Sequence, residues 1–315
     1  MAEHHPVFLK FSRFKGEVPA GYEHDFLGSK IRPWFWGGPP RDTPLEVDTP
    51  YPPFDEEYFE WIDLLESVVA ARDSYAMFEL GAGYGRWALR AAQAVRQYSS
   101  IPIHLTAVEP DPVHFDWIRM HFEDNGVDPS QHCLLHAAVG GASGNAALVI
   151  GSHNDSHTPQ GRMPQWYGQW LVEGSPWIMP ARTKARTKGV DEPSYGGQQV
   201  HRHRDGRKSI SVPVVTLKSI LENSRRVDLI DLDVQAQELN AILPAIGELN
   251  AKVKRLHIGT HAGKHTAEIE DGLRTLLGRN GWQCLADYPG RGTRETPWGP
   301  IDFDDGVQSW VNPRV

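Results

Sequence analysis

Cysteine is scarce: Cys133 and Cys284 are all the chain has, too few for a disulfide framework. A reducing compartment, the cytoplasm, is the expectation, with both thiols as buried packing residues. Long apolar runs are missing too, and none approaches the roughly 20 residues that a membrane span needs. The start, Met1-Ala2-Glu3-His4-His5-Pro6, leads only into Val7-Phe8-Leu9, too short an apolar core for a signal peptide. Positive charge is not in excess. A net charge of -8 excludes a general nucleic-acid binder, because no overall field draws the chain to phosphate. No internal repeat is visible.

What is present is ordinary globular composition, with 40% hydrophobic and 23% charged residues in 315. That length allows one large α/β domain or two small ones. Residues 1–54 are dense in proline, glycine and aromatics, as in Arg32-Pro33-Trp34-Phe35-Trp36-Gly37-Gly38-Pro39-Pro40. Proline removes backbone donors and glycine loosens the chain, so this is no regular helix. Rings of that size are costly in water, so an irregular arm packed on the main domain is expected. From Asp55, Tyr58, Trp61, Ile62, Leu65 and Val69 recur at helical spacing.

Beyond this helix, short apolar runs alternate with helical patterns, the signature of a doubly wound α/β fold with a parallel sheet. Strands are expected at 76–80, 105–108, 133–139, 146–150, 227–233 and 255–258, with closing strands at 282–285 and 307–311 around a Pro/Gly-rich link. Residues 151–208 break the rhythm and are taken as an insertion into one domain spanning 55–315. A stretch of that length without periodicity is usually functional or disordered.

The firmest motif is Phe78-Glu79-Leu80-Gly81-Ala82-Gly83-Tyr84-Gly85, directly after a strand and before a helix. Glycines there let a nucleotide approach the backbone, and the helix N-terminus offers N–H groups to a ligand's carboxylate. The spacing is Gly-x-Gly-x-Gly, not the Gly-x-Gly-x-x-Gly of nicotinamide sites. Glu79 would repel a pyrophosphate but suits an α-ammonium and a sulfonium. Glu109 ends the second strand, where an acid accepts both ribose hydroxyls, and Pro110 follows it. His136, Ala137 and Ala138, at the end of the third strand, fall where an adenine edge would lie. The expected cofactor is S-adenosylmethionine, with Glu79, Gly81, Ala82, Gly83, Gly85, Glu109, Pro110, His136, Ala137 and Ala138 around it.

These motifs, together with Val108-Glu109-Pro110-Asp111-Pro112, Ala137-Ala138-Val139-Gly140, Val212-Pro213-Val214-Val215-Thr216-Leu217 and Asp228-Leu229-Ile230-Asp231-Leu232-Asp233, resemble FkbM-type S-adenosylmethionine-dependent methyltransferases. Asp305-Gly306-Val307-Gln308-Ser309-Trp310-Val311-Asn312-Pro313 is similar to some members. The resemblance runs from about Phe78 to the C-terminus, outside the arm and the insertion. It implies a Rossmann-like, seven-stranded, mostly parallel sheet with a reversed last strand, and chiefly O-methylation of sugars or natural-product hydroxyls. One stretch departs from it. Members usually carry Lys-Ile-Asp-Val-Glu-Gly-Ala-Glu where this chain has Asp231-Leu232-Asp233-Val234-Gln235-Ala236-Gln237-Glu238. A later motif, His257-Ile258-Gly259-Thr260-His261, lacks its usual acid at Gly259.

For the acceptor, Asp233 is the candidate base at a strand's carboxyl end, with Glu238 and His261 on the same rim. A divalent metal held by Asp233, Glu238 and His261 is the competing reading; Asp231 and Asp233 alternate on a strand and would point to opposite faces. Trp166, Tyr167, Trp170 and Trp177 are candidate stacking surfaces for a saccharide or small-molecule acceptor. The basic tract Arg182, Lys184, Arg186, Lys188, Arg202, Arg204, Arg207 and Lys208 could receive an anionic one. Two other functions remain open: a nicotinamide-dependent oxidoreductase and a non-catalytic S-adenosylmethionine-binding protein.

Overall fold

The computed structural model describes residues 3–150, 155–158, 161–164, 169–172, 194–203, 207–261 and 266–315, without side chains for 155–158, 161–164 and 172. Its central sheet has seven strands: β1 (Tyr75–Leu80), β2 (Ile103–Glu109), β3 (Cys133–His136), β4 (Leu229–Leu232), β5 (Arg255–Thr260), β6 (Gln283–Tyr288) and β7 (Gly306–Val311). They lie in the order β6-β7-β5-β4-β1-β2-β3. β1 to β5 are parallel, and β7 runs against both of its neighbours. The reversed last strand expected from the sequence is therefore present. Strand order reverses beside β1, which opens a crevice at the carboxyl ends of β1 and β4.

Alternation along each strand sends side chains to two separate cores. Met77, Leu105 and Leu229 meet α1 (Glu57–Ala70), α2 (Arg86–Tyr98) and α3 (Pro112–Asp124), while Phe78, Leu80, Val108, Ile230, Leu232, Leu256 and Ile258 face the helices of the opposite layer. Strands buried on both faces read as continuous apolar runs. That is why they are visible in the sequence.

The arm packs on α1 to α3. Phe8 stacks on Tyr58 with centroids 5.0 Å apart, and Phe26 meets Trp61 edge-on at 4.8 Å. Polar contacts fix its path: Arg32 grips Asp124 with both prongs, at 2.5 and 2.8 Å. Arg90, which contacts Asp25, lies 4.2 Å from the ring centroids of both Trp61 and Trp87. Phe35 stacks on Tyr84 at 5.0 Å and so braces the glycine-rich turn.

Four expectations change. The 133–139 run splits at Ala137: Cys133–His136 is the edge of the central sheet, whereas Ala138–Gly140 joins a second sheet beside Lys208–Thr216. Gly144–Ile150 belongs to that second sheet too, antiparallel to Lys208–Thr216. Apolar alternation reports burial, not which sheet supplies it. The Pro/Gly-rich link holds a hairpin, Gly292–Thr296 with Gly299–Phe303, whose Phe303 packs on Phe59 of α1. Both cysteines are exposed rather than buried. Among the described residues, no helix is long and apolar enough to cross a membrane.

Candidate functional site

The glycine-rich turn leaves β1 and is tied to β2 at once: Gly81 and Ala82 both donate to the Val108 carbonyl, at 2.9 and 3.0 Å. Gly81, Gly83 and Gly85 all have positive φ, +85°, +54° and +73°, which side chains disfavour. At Gly81 the demand is absolute, since a Cβ would stand 1.8 Å from the Asp233 carbonyl oxygen. The β4 loop thus crosses directly over the turn. Gly85 serves a different purpose. A Cβ there would press on Ile118 and Phe122 of α3, so this glycine sets helix packing and does not line the cavity.

The cavity at the switch point is bounded by Gly81, Ala82, Gly83 and Tyr84 of the turn, Glu109 and Pro110 after β2, Ala138 and Val139, and the β4 and β5 loops. Glu109 is fixed on both oxygens: Gly83 N–H donates to Oε2 at 2.7 Å and Asp111 N–H to Oε1 at 2.8 Å. Burial, then the Asp111 charge, pushes its carboxyl well above the ordinary range. Each carboxylate oxygen keeps capacity for another hydrogen bond.

Glu79 is placed otherwise than expected. It accepts the N–H groups of Trp87 and Ala88, at 3.0 and 2.9 Å, so it occupies the first turn of α2 that the sequence reserved for a ligand's carboxylate. It still lines the cavity. Burial and the Asp231 charge raise its carboxyl to about 8. The unfolded chain releases this proton near the ordinary value of 4.5, while the folded chain keeps it to about 8. Folded protein therefore binds more protons through that window, and stability must fall as pH rises across it. Thermal melts of ligand-free protein from pH 5 to 8 should show the decline, and Glu79→Gln should make it shallower, the remaining slope coming from groups such as Asp55 and Asp231, whose carboxyls burial raises to about 6.

His136 does not reach the cavity. Its Nε2 lies 3.0 Å from the Pro110 carbonyl and its ring stacks on Phe115; Ala137, which bonds the Glu109 carbonyl, is also outside. The histidine that lines this end is His114, from the first turn of α3. Its position just after Asp111-Pro112 was the available signal, because Asp111 caps α3 through Val113 N–H at 2.8 Å.

On the opposite side, β4 ends at Leu232, so Asp233 lies beyond the strand and both Asp231 and Asp233 line the cavity. The expected opposition of the two holds only within a strand. His261 is held between two acids: Nε2 is 2.8 Å from Asp233 and Nδ1 is 3.1 Å from Glu238. Burial alone would lower its pKa, but those two partners raise it well above the ordinary value. Burial would likewise raise Asp233, yet the His261 charge holds it below its usual range. Glu238 is 0% exposed and stands behind His261, away from the cavity. With both ring nitrogens engaged by carboxylates, His261 turns no free lone pair toward the cavity in this arrangement.

The β4 loop is strained at the divergent stretch, with Gln235 at φ 52° and Ala236 at φ 70°. Glycine is the residue that the resemblance leads one to expect at 236. Ala236→Gly should stabilise the protein by about 0.5–1 kcal/mol, since left-handed backbone costs a side chain about 1–2 kcal/mol and glycine's extra freedom takes part of that back. Urea denaturation would measure it.

Of the insertion, Gln169, Trp170 and Leu171 line the cavity. Gln169 Nε2 donates to Asp111 at 2.6 Å and Tyr195 OH to the same carboxylate at 3.0 Å. These described residues of the insertion therefore lie at the Glu109 end of the cavity. Trp166, Tyr167, Trp177, Arg182, Lys184, Arg186, Lys188 and Arg204 lie outside the described residues, and Lys208 is buried.

The sequence model of the FkbM methyltransferase domain matches residues 79–273, more than half of the chain. This chain belongs to the FkbM methyltransferase family. The matched region begins at the glycine-rich turn, takes in the insertion and stops before β6 and β7. A curated Jannaschia sp. (strain CCS1) protein, whose name describes it as a methyltransferase, is 23% identical over 232 residues, 73% of this chain and 70% of that one. The solved FkbM methyltransferase of Methylobacillus flagellatus KT is 15% identical with a TM-score of 0.38, covering 76% of this chain. This chain spans 45% of that protein's length. A precorrin-6y C5,15-methyltransferase of Geobacter metallireducens GS-15 is 10% identical with a TM-score of 0.37, covering 80% of this chain and 85% of its own.

Proposed function

We propose that this FkbM-family protein is an S-adenosylmethionine-dependent O-methyltransferase acting on a hydroxyl of a saccharide or natural-product small molecule. The observation that carries the cofactor assignment is Glu109, locked by Gly83 and Asp111 N–H groups at the strand end beside the glycine-rich turn. Held so, its carboxylate is preorganised for the paired hydroxyls of a ribose. Charge supports the same ligand. Glu57, Glu60, Glu79, Asp231 and Asp233 line the cavity, and Arg86 is already paired with Glu57 at 2.7 Å. Burial raises the Glu79 carboxyl to about 8 and Asp231 to about 6, so a bound cation would draw out their ionised forms, while a pyrophosphate would not.

S-adenosylmethionine, when bound, supplies a methyl group activated on a sulfonium. The protein's part is to place an acceptor oxygen in line with that methyl, at about 3–3.5 Å. As the oxygen–carbon bond forms and the sulfur–carbon bond breaks, the hydroxyl proton must leave. Asp233, whose side chain is 46% exposed, is the carboxylate open to receive it. His261 fixes its orientation, and Glu238 fixes His261. Asp233→Asn should leave S-adenosylmethionine affinity within a few-fold and cut turnover by roughly 100-fold or more. Transfer of labelled methyl from S-adenosylmethionine to a panel of hydroxylated saccharides and natural products measures this. Full turnover in the variant rules Asp233 out as the base; label appearing only on nitrogen or carbon overturns O-methylation.

A further inference from the structure

Across the sheet face that meets α1, one row of side chains is polar where its neighbours are apolar. Register places Glu79 beside Asp231, Asp231 beside His257, and His257 beside Ser309. Above them α1 contributes Glu60 and Asp63. One ligand atom each from Glu60, Asp231 and His257 falls within 4.8 Å of the others, and all three residues border the cavity.

We propose that Glu60, Asp231 and His257 bind one divalent first-row ion, of the manganese or zinc kind, on the floor of the cavity. Two carboxylates with one imidazole suit such an ion, whereas magnesium and calcium prefer oxygen alone. The imidazole is set for ligation. Its Nδ1 is 2.8 Å from Asp63, which also takes Arg255 Nη1 at 2.6 Å and the Ser309 hydroxyl. This leaves Nε2 for the cavity, and a carboxylate behind a ligating histidine is the usual means of fixing its tautomer and raising its basicity.

A shared proton is the competing occupant, since Asp231 meets the Glu60 carboxylate. A proton satisfies that contact alone. Asp231 is 3% exposed and its Oδ1 has no hydrogen-bond partner, a costly state for a buried carboxylate that an ion would relieve. Three protein ligands leave open positions toward the cavity, where an acceptor's hydroxyl oxygen could be held beside Asp233. That last role rests on the proposed O-methylation; the ion site does not.

The test uses full-length protein stripped with a chelator and titrated separately with Mn2+ and Zn2+ by calorimetry, with no cofactor or acceptor present. Loss of the free Mn2+ paramagnetic signal gives the stoichiometry. The expected result is one ion per chain, with affinity reduced about 100-fold or more in Asp231→Asn and His257→Gln, at least what losing an outer-shell partner costs. Glu60→Gln, at a half-buried helix position, should do the same while circular dichroism reports an intact fold. No saturable binding by the unmodified protein overturns the proposal. So does binding that survives all three substitutions, which would place the ion elsewhere. Neither result touches cofactor binding, so failure here is separable from failure of the methyltransferase mechanism.

Discussion

Glu109→Ala should weaken S-adenosylmethionine binding by about two to four orders of magnitude while leaving a folded protein. A hydrogen bond to a charged group contributes roughly 1.5–3 kcal/mol, and the proposed site makes two, to the ribose hydroxyls. Their loss amounts to about 3–6 kcal/mol, and every 1.4 kcal/mol is tenfold in affinity. The alanine also releases Gly83 N–H and Asp111 N–H, so some of the loss comes through a looser glycine-rich turn. Glu109→Gln separates the two effects. It retains one carbonyl oxygen and carries no charge to bury beside Asp111, but its NH2 faces one of the two backbone N–H donors, so its thermal stability should lie above that of Glu109→Ala and below that of the unmodified protein. Its affinity should fall between the other two. Calorimetric titration and a thermal melt of each variant give both readings.

Among the described glycines, Gly81 should be the one whose change to alanine is most damaging. Its Cβ would meet the Asp233 carbonyl oxygen at 1.8 Å and the carbonyl carbon at 2.9 Å, with φ at +85°. Left-handed backbone costs a side chain about 1–2 kcal/mol, and forced overpacking about 1–3 more. Backbone cannot swing aside as a flexible side chain does. Destabilisation of about 2–5 kcal/mol is expected in urea denaturation, together with loss of turnover, because relief of the clash moves the loop that carries Asp233. Gly247→Ala is the control. That glycine lies in the Ile246–Lys252 helix with nothing within 4 Å of a new Cβ, and alanine there should stabilise by roughly 0.5–1 kcal/mol.

The glycine-rich turn and Glu109 were legible in the sequence because strand, turn and helix are contiguous and the chemistry sits at their junctions. The central sheet was legible because its strands are buried on both faces. What escaped is what depends on register. Nothing local says that Glu79, Asp231 and His257 stand side by side, or that α1 brings Glu60 over them. His136 was placed from its strand end, whereas nothing local gives the direction in which His114 leaves the first turn of its helix. Glu238 and His261 were expected on one rim with Asp233, and only the fold shows that His261 stands between the two carboxylates. The second sheet was missed because the same apolar alternation describes a strand in either sheet.

Calorimetric titration with S-adenosylhomocysteine, and separately with NAD+, tests the central claim most directly. Binding of one S-adenosylhomocysteine per chain is expected, severely weakened in Glu109→Ala, with no comparable binding of the dinucleotide. A chain that binds neither S-adenosylhomocysteine nor S-adenosylmethionine, or that prefers NAD+, contradicts it.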